Sequence, residues 1–387
     1  MPSSRPSPPP AERAATLAGA ASPATPTVAI DAGTVPPAVP ASIDASLPGN
    51  GRWYAVAVTS VVVAVVAGIM IGPAGPPWWR VPLELLDRLP FVAVDSGVTD
   101  VEWNIVWMVR MPRVLLGGLV GAMLSLAGAS YQGVFRNPLV EPYLLGAAAG
   151  AGLGATLVFT VMRSTTQDWP VDPAPAAAFT VALVTVFITY LVGGSFGGSR
   201  TGVTLVLAGV AVSALASAIQ TFILQRNLEV VREVFTWILG RLSTARWQDV
   251  KLVVPYVVVA SVVLLAHRRH LDVFRVGEDE AATLGAPVAR VRLVVVIAAT
   301  LGTAAVVSVS GLIGFVGIVV PHLVRLVAGA SYRRVLPLSL LFGATFLIVA
   351  DIPGRVMLRP AETPIGVVTA FLGAPFLILV LRTRGRR

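Results

Sequence analysis

The chain has 387 residues, 55% of them hydrophobic and 13% charged, and a formal net charge of +9 in which Lys251 is the only lysine. A soluble domain carries about 25% charged residues, so this composition, with a mean hydropathy of +0.80, excludes an ordinary soluble enzyme and predicts a polytopic all-α membrane protein. Cysteine is absent and histidines number three, which excludes disulfides and thiolate metal sites and leaves little material for any metal centre.

Eleven prolines and many alanines fill the first fifty residues, a composition that cannot bury enough surface to offset its ordering entropy. Residues 1–52 therefore read as a disordered Pro/Ala-rich tail, and 53–387 as the transmembrane domain. The first apolar run, Trp53 to Gly72, follows too long a tail to be a secretory signal and is itself long enough to span. Further spans are expected near 114–134, 142–162, 175–193, 202–224, 250–266, 293–310, 312–329, 336–352 and 365–381, ten in all. Leu293 to Val324 is a single uncharged run, and the glycines at 311, 314 and 317 divide it into two spans. An even count puts both termini on one side, where fifteen basic residues face twelve on the other. The positive-inside rule then favours cytoplasmic termini, and arginines scattered between spans speak against nucleic-acid binding.

Small residues recur at helical spacing, Gly117 with Gly121 and then Gly146, Gly150 and Gly154, as close helix packing in lipid requires. The expected spans carry no acid near their middles: Glu141, Asp351 and Glu362 fall at ends, and only His322 is an ionisable candidate. Ion-coupled carriers need such groups at mid-depth. A P-loop needs a Gly-Lys-Ser/Thr step, whereas Lys251 follows Val250. Both absences predict an external ATPase.

Several motifs then carry a resemblance. Arg110-Met-Pro-Arg113 precedes Leu-Leu-Gly-Gly-Leu-Val-Gly-Ala, and Gln132 to Gly146 reads Gln-Gly-Val-Phe-Arg-Asn-Pro-Leu-Val-Glu-Pro-Tyr-Leu-Leu-Gly. Leu207 to Ala211, Gly311 to Arg325 with its Pro321-His322 step, and Ala350 to Gly366 follow in order. Residues 53–387 resemble the iron-chelate and vitamin B12 uptake permeases, the membrane subunits of ABC importers. The resemblance implies about ten transmembrane helices per subunit, with both ends cytoplasmic in the inner membrane. It implies a second copy or close paralogue, two cytoplasmic ABC ATPases that hold the ATP and Mg, and an extracytoplasmic binding protein. The permease itself is then no enzyme and binds no cofactor.

The loop 267–292 contains Glu278 to Pro287, which reads as a short helix with acids at its start and Gly285 and Pro287 at its end. Its apolar face lacks a core. The resemblance makes Glu280, Ala281, Ala282, Leu284, Gly285, Ala286 and Pro287 the ATPase-coupling segment. His267 and His270, with arginines between them, read as a basic membrane flank. Asn137, Leu139 and Thr201 are gate candidates by resemblance, beside the plain reading of Asn137-Pro138-Leu139 as a turn. Arg110, Arg113 and Arg355 fall at extracytoplasmic span ends, where they either snorkel or, as the resemblance implies, receive acidic groups of the binding protein. The cargo is expected to be a ferric siderophore, with haem or cobalamin as alternatives. An ATP-independent secondary transporter is the alternative of a different class.

Overall fold

The structure, a computed structural model, describes residues 50–88, 95–161, 172–195, 202–283, 285, 287–358 and 361–384. Among these residues every regular element is helical. In chain order they are α1 (Asn50–Met70), α2 (Arg80–Asp87), α3 (Asp100–Ile105), α4 (Met111–Val134), α5 (Ala147–Val161), α6 (Ala174–Ser195), α7 (Gly202–Arg226), α8 (Val231–Ile238), α9 (Trp247–Ala266), α10 (Arg268–Val273), α11 (Glu278–Thr283), α12 (Val288–Ser310), α13 (Val316–Ala328), α14 (Tyr332–Val356) and α15 (Ile365–Arg384). A π-helical stretch, Val106–Arg110, joins α3 to α4 without a break.

Seven helical stretches are long and apolar enough to cross a bilayer, namely α1, α3 with α4, α6, α7, α9, α12 and α14. Three shorter apolar helices, α5, α13 and α15, bring the described set to the ten expected positions. Of the expected tail, residues 1–49 lie outside the described residues, and α1 starts at Asn50 rather than at Trp53.

The bundle is built around α4. Nearly all of α4 from Pro112 to Val134 is buried, and it packs against α14, α12, α13 and α9. A small-residue surface makes this possible: a Cβ on Gly121 would collide with the Gly343 carbonyl, and one on Gly343 with that of Gly121. In lipid the association of helices rests on such close van der Waals contact. Gly150 and Gly154 do the same for α5, whose backbone lies against Thr185 and Ala177 of α6. Gly117 differs from the rest of the stripe, meeting only Leu242 at 3.6 Å.

Two helices start later than expected, and for one reason. Helix α5 begins at Ala147 rather than near 142, and α13 at Val316 rather than near 312. The irregular stretches that precede them, 140–146 and 311–315, run inside the bundle, where Val140, Leu145 and Ile313 are buried and Pro142 lies against Gly317. Helix α2, between the first two expected spans, is amphipathic and too short to span, and α3 extends the second span at its start. Helix α3 is fixed by a capping box in which Thr99 and Glu102 exchange side-chain and backbone hydrogen bonds.

Candidate functional site

Non-helical backbone at membrane depth is tolerated only where the protein itself satisfies its polar groups. Here three side chains do so. Tyr143 Oη donates to the Ile313 carbonyl at 3.0 Å and accepts the Ile313 N–H at 3.1 Å. Glu141 Oε1 accepts the N–H of Phe315 at 3.1 Å, and Phe315 sits in the left-handed region at φ 69°. From the last turn of α4, Gln132 Nε2 donates to Gly317 O at 2.8 Å and to Val140 O at 3.3 Å. The motif 132–146 and the motif 311–325 are thus two faces of one structure, locking two broken helices together in the middle of the bundle. Gly366 N donates to Leu239 O at 3.0 Å, and Gly240 lies against Ile365 and Leu312, which joins the start of α15 to the same place. Discontinuous helices of this kind are where transporters place their cargo and gating machinery.

Near the end of α4 where α14 finishes lies a buried ionic cluster. Arg113 pairs with Asp351 through two bonds of 2.9 Å and with Glu362 through one of 2.7 Å. Arg355 Nε is 3.0 Å from Asp351 Oδ2, and its Nη1 donates to Gly68 O at 3.0 Å. Arg110 donates to the carbonyls of Ile69, Met70 and Ala74 at the end of α1. Exposures of 4%, 6% and 2% for Arg110, Arg113 and Arg355 show where these charges point. The three arginines expected to receive a binding protein do gather at one end of the bundle. They are committed there to acceptors of their own chain instead of standing at the surface, because α1, α4, α14 and the 361–364 turn converge on them. From Arg113 the partners Asp351 and Glu362 are 238 and 249 residues away in sequence, whereas Arg355 lies one helical turn from Asp351.

At the opposite end, Asn137 Oδ1 accepts the Leu139 N–H at 3.0 Å, an Asx turn in which both residues are exposed. Thr201, the third gate candidate, lies outside the described residues. Also at this end, α11 stops after Thr283 and Gly285 follows at φ +80° with open space around it, as the Gly and Pro signals predicted. Glu280, Ala282, Gly285 and Pro287 are exposed, whereas Ala281 is fully buried against the body of the chain. Leu284 and Ala286 lie outside the described residues. The His267 and His270 rings lie 5.6 Å apart, tilted by 38°, and His267 Nδ1 is 2.8 Å from Val263 O, which fixes the turn between α9 and α10. His322 in α13 faces Phe376 of α15, with ring centroids 5.6 Å apart.

Comparison with known proteins agrees with this geometry. Residues 60–383 match the model of the FecCD transport family. The cobalamin import system permease protein BtuC of Halobacterium salinarum is 38% identical over 85% of this chain and 86% of its own length. The hemin transport system permease protein HmuU of Yersinia pestis is 36% identical over 76% of this chain and 88% of its own. A solved structure, described as an inward-facing conformation of a metal-chelate type ABC transporter, superposes with a TM-score of 0.72 at 27% identity, covering 86% of this chain and 99% of that one.

Proposed function

Because the chain belongs to the FecCD transport family, we propose that it is the permease subunit of an ATP-driven importer that carries a ferric siderophore across the cytoplasmic membrane. The family match over residues 60–383 carries this reading, and the interlocked helix breaks at 140–146 and 311–315 supply the mid-bundle machinery a translocation path needs. Cobalamin is the second reading, favoured by the 38% identity to a cobalamin permease. Haem is the third, favoured by the hemin permease.

In this account two copies of the chain enclose the path, two ATPases bind ATP and Mg on the side of α11, and both termini are cytoplasmic. The chain itself catalyses no reaction. Residues 280–287 seat in the ATPase, and Asn137, Leu139 and Thr201 close the path at the same end. The binding protein docks at the end that carries Arg110, Arg113 and Arg355, which hold that surface in shape. A secondary transporter without ATPases is disfavoured by the family match: among the described residues the buried Asp351 is neutralised by two arginines, and Glu141 is engaged by the Phe315 N–H. The test is calorimetric titration of the cognate binding protein with a ferric siderophore, haemin and cobalamin. Tight binding of the siderophore alone supports the first reading, and tight binding of either other chelate replaces it.

A further inference from the structure

One cavity has no part in the translocation account. It measures about 820 Å3 and lies between the first turns of α6 and α9, above the last turns of α12, within the range of about 300–1,000 Å3 typical of small-molecule sites. Its polarity is graded. Arg241, Arg246 and Lys251 line it beside the carboxylates Asp172 and Asp249, and Phe179, Leu252 and Tyr256 are among its apolar lining. The Phe179 and Tyr256 rings stand 5.4 Å apart. Along α9 the gradient follows the sequence, since Trp247 to Lys251 holds three polar residues and the helix is almost wholly apolar from Leu252 to Ala266.

The charges do not balance within the cavity. Arg241 Nη2 pairs with Asp172 at 3.2 Å. Asp249 caps α9 by accepting the Arg246 N–H at 2.9 Å. Arg246 and Lys251 then have no carboxylate partner among the described residues, and Arg241 Nε is buried without a hydrogen-bond acceptor. The level in the membrane is marked independently. Trp247 donates Nε1–H to Trp107 O at 2.8 Å, its ring lies 5.3 Å from that of Trp107, and Trp107 stacks on Trp103. Clustered tryptophans of this kind sit at the boundary between head groups and hydrocarbon. We propose that this cavity binds an anionic phospholipid, its phosphate held by Arg241, Arg246 and Lys251 and an acyl chain lying along Phe179, Leu252 and Tyr256. Guanidinium and ammonium groups recognise phosphate oxygens, and the apolar floor rewards a chain that a free phosphate lacks.

The test uses the full-length protein in detergent, with retained lipid counted by native mass spectrometry. The probes are phosphatidylglycerol, phosphatidylcholine with the same acyl chains, and inorganic phosphate. Phosphatidylglycerol should be retained in preference to phosphatidylcholine. Its apparent affinity should fall about tenfold in the exposed double variant Arg246→Gln/Lys251→Gln, and also in Ala176→Trp, which keeps every cation and fills the cavity. Arg226→Gln/Arg232→Gln, outside the lining, should change nothing. Melting curves show whether each variant is folded, and should Ala176→Trp fail to fold, the surface double variant decides alone. Equal retention of both lipids, or affinity unchanged in the double variant, would show only unspecific lipid and overturn the proposal. Displacement of the lipid by millimolar inorganic phosphate would assign a soluble anion, and loss of the lipid whenever two copies associate would assign the cavity to the second copy.

Discussion

Arg113 grips both carboxylate oxygens of Asp351, Nε to Oδ2 and Nη2 to Oδ1, each at 2.9 Å. The pair is the planar two-bond arrangement that guanidinium and carboxylate favour, and it pins α4 to α14 at one end of a contact that Gly121 and Gly343 close in the middle. Side-chain exposures of 7% and 5% leave the pair little water to fall back on. Removing one partner of a buried pair costs about 3–5 kcal/mol. Asp351→Asn, which leaves Arg113 and Arg355 facing each other, should lower the melting temperature in detergent sharply. Glu362→Gln should cost much less, because that carboxylate is 30% exposed. Equal effects of the two would show that the cluster is not the strut described.

The glycine contact gives a steric contrast within one helix. Gly121→Leu should prevent α4 and α14 from closing and yield protein that aggregates on extraction. Gly117→Ala, whose new methyl meets only Leu242 at 3.6 Å, should be neutral or slightly stabilising, as Ala is the better helix former. Size-exclusion profiles of the two variants decide the matter.

Tyr143→Phe removes both hydrogen bonds to Ile313 while keeping the ring. A buried N–H left without an acceptor costs about 1–3 kcal/mol, and here the loss falls where two broken helices meet. A modest drop in melting temperature with a larger drop in transport is expected. Wild-type transport in this variant would detach the interlock from function.

Sequence patterning found the ten apolar helices because each needs only its own composition. It also found the turn at Gly285, where glycine and proline act locally. It placed the starts of α5 and α13 four or five residues early, because the unwound residues look as apolar as the helices and are satisfied by Glu141, Tyr143 and Gln132 from distant parts of the chain. The arginines were legible as charges at span ends. The partners of Arg110 and Arg113 were not, since the carbonyls at the end of α1, Asp351 and Glu362 reach them only in the folded bundle; the one-turn step from Asp351 to Arg355 is the exception.

The segment between α1 and α3 carries a pH dependence. Glu84 accepts from Ser96 Oγ at 2.5 Å and from Arg88 Nε at 2.6 Å. The Ser96 hydrogen bond, opposed by burial and aided by Arg88, holds the carboxyl below its ordinary value of 4.5. A carboxyl depressed by folding stabilises above its unfolded value and loses that contribution as pH falls through the folded one. Amide exchange at residues 95–98 should therefore be pH-independent, after correction for intrinsic rates, above 4.5 and accelerate below it. Ser96→Ala should shrink this acceleration and raise the pH at which it is complete; an unchanged response would remove Ser96 as the cause.

Replacing Leu284 and Gly285 together with bulky charged residues should leave the permease folded, as Gly285 stands in open space outside the bundle. Co-purification of the ATPase should be lost. A complex that still assembles and hydrolyses ATP in response to cargo would move the coupling surface elsewhere.

The most direct measurement of the whole account is uptake of radiolabelled chelate into proteoliposomes holding this chain with its cognate ATPase, the binding protein being supplied on the opposite side of the bilayer. Accumulation should require both ATP on the α11 side and the binding protein, and should stop when the ATPase is inactivated. Accumulation driven by an ion gradient without ATP or ATPase would contradict it.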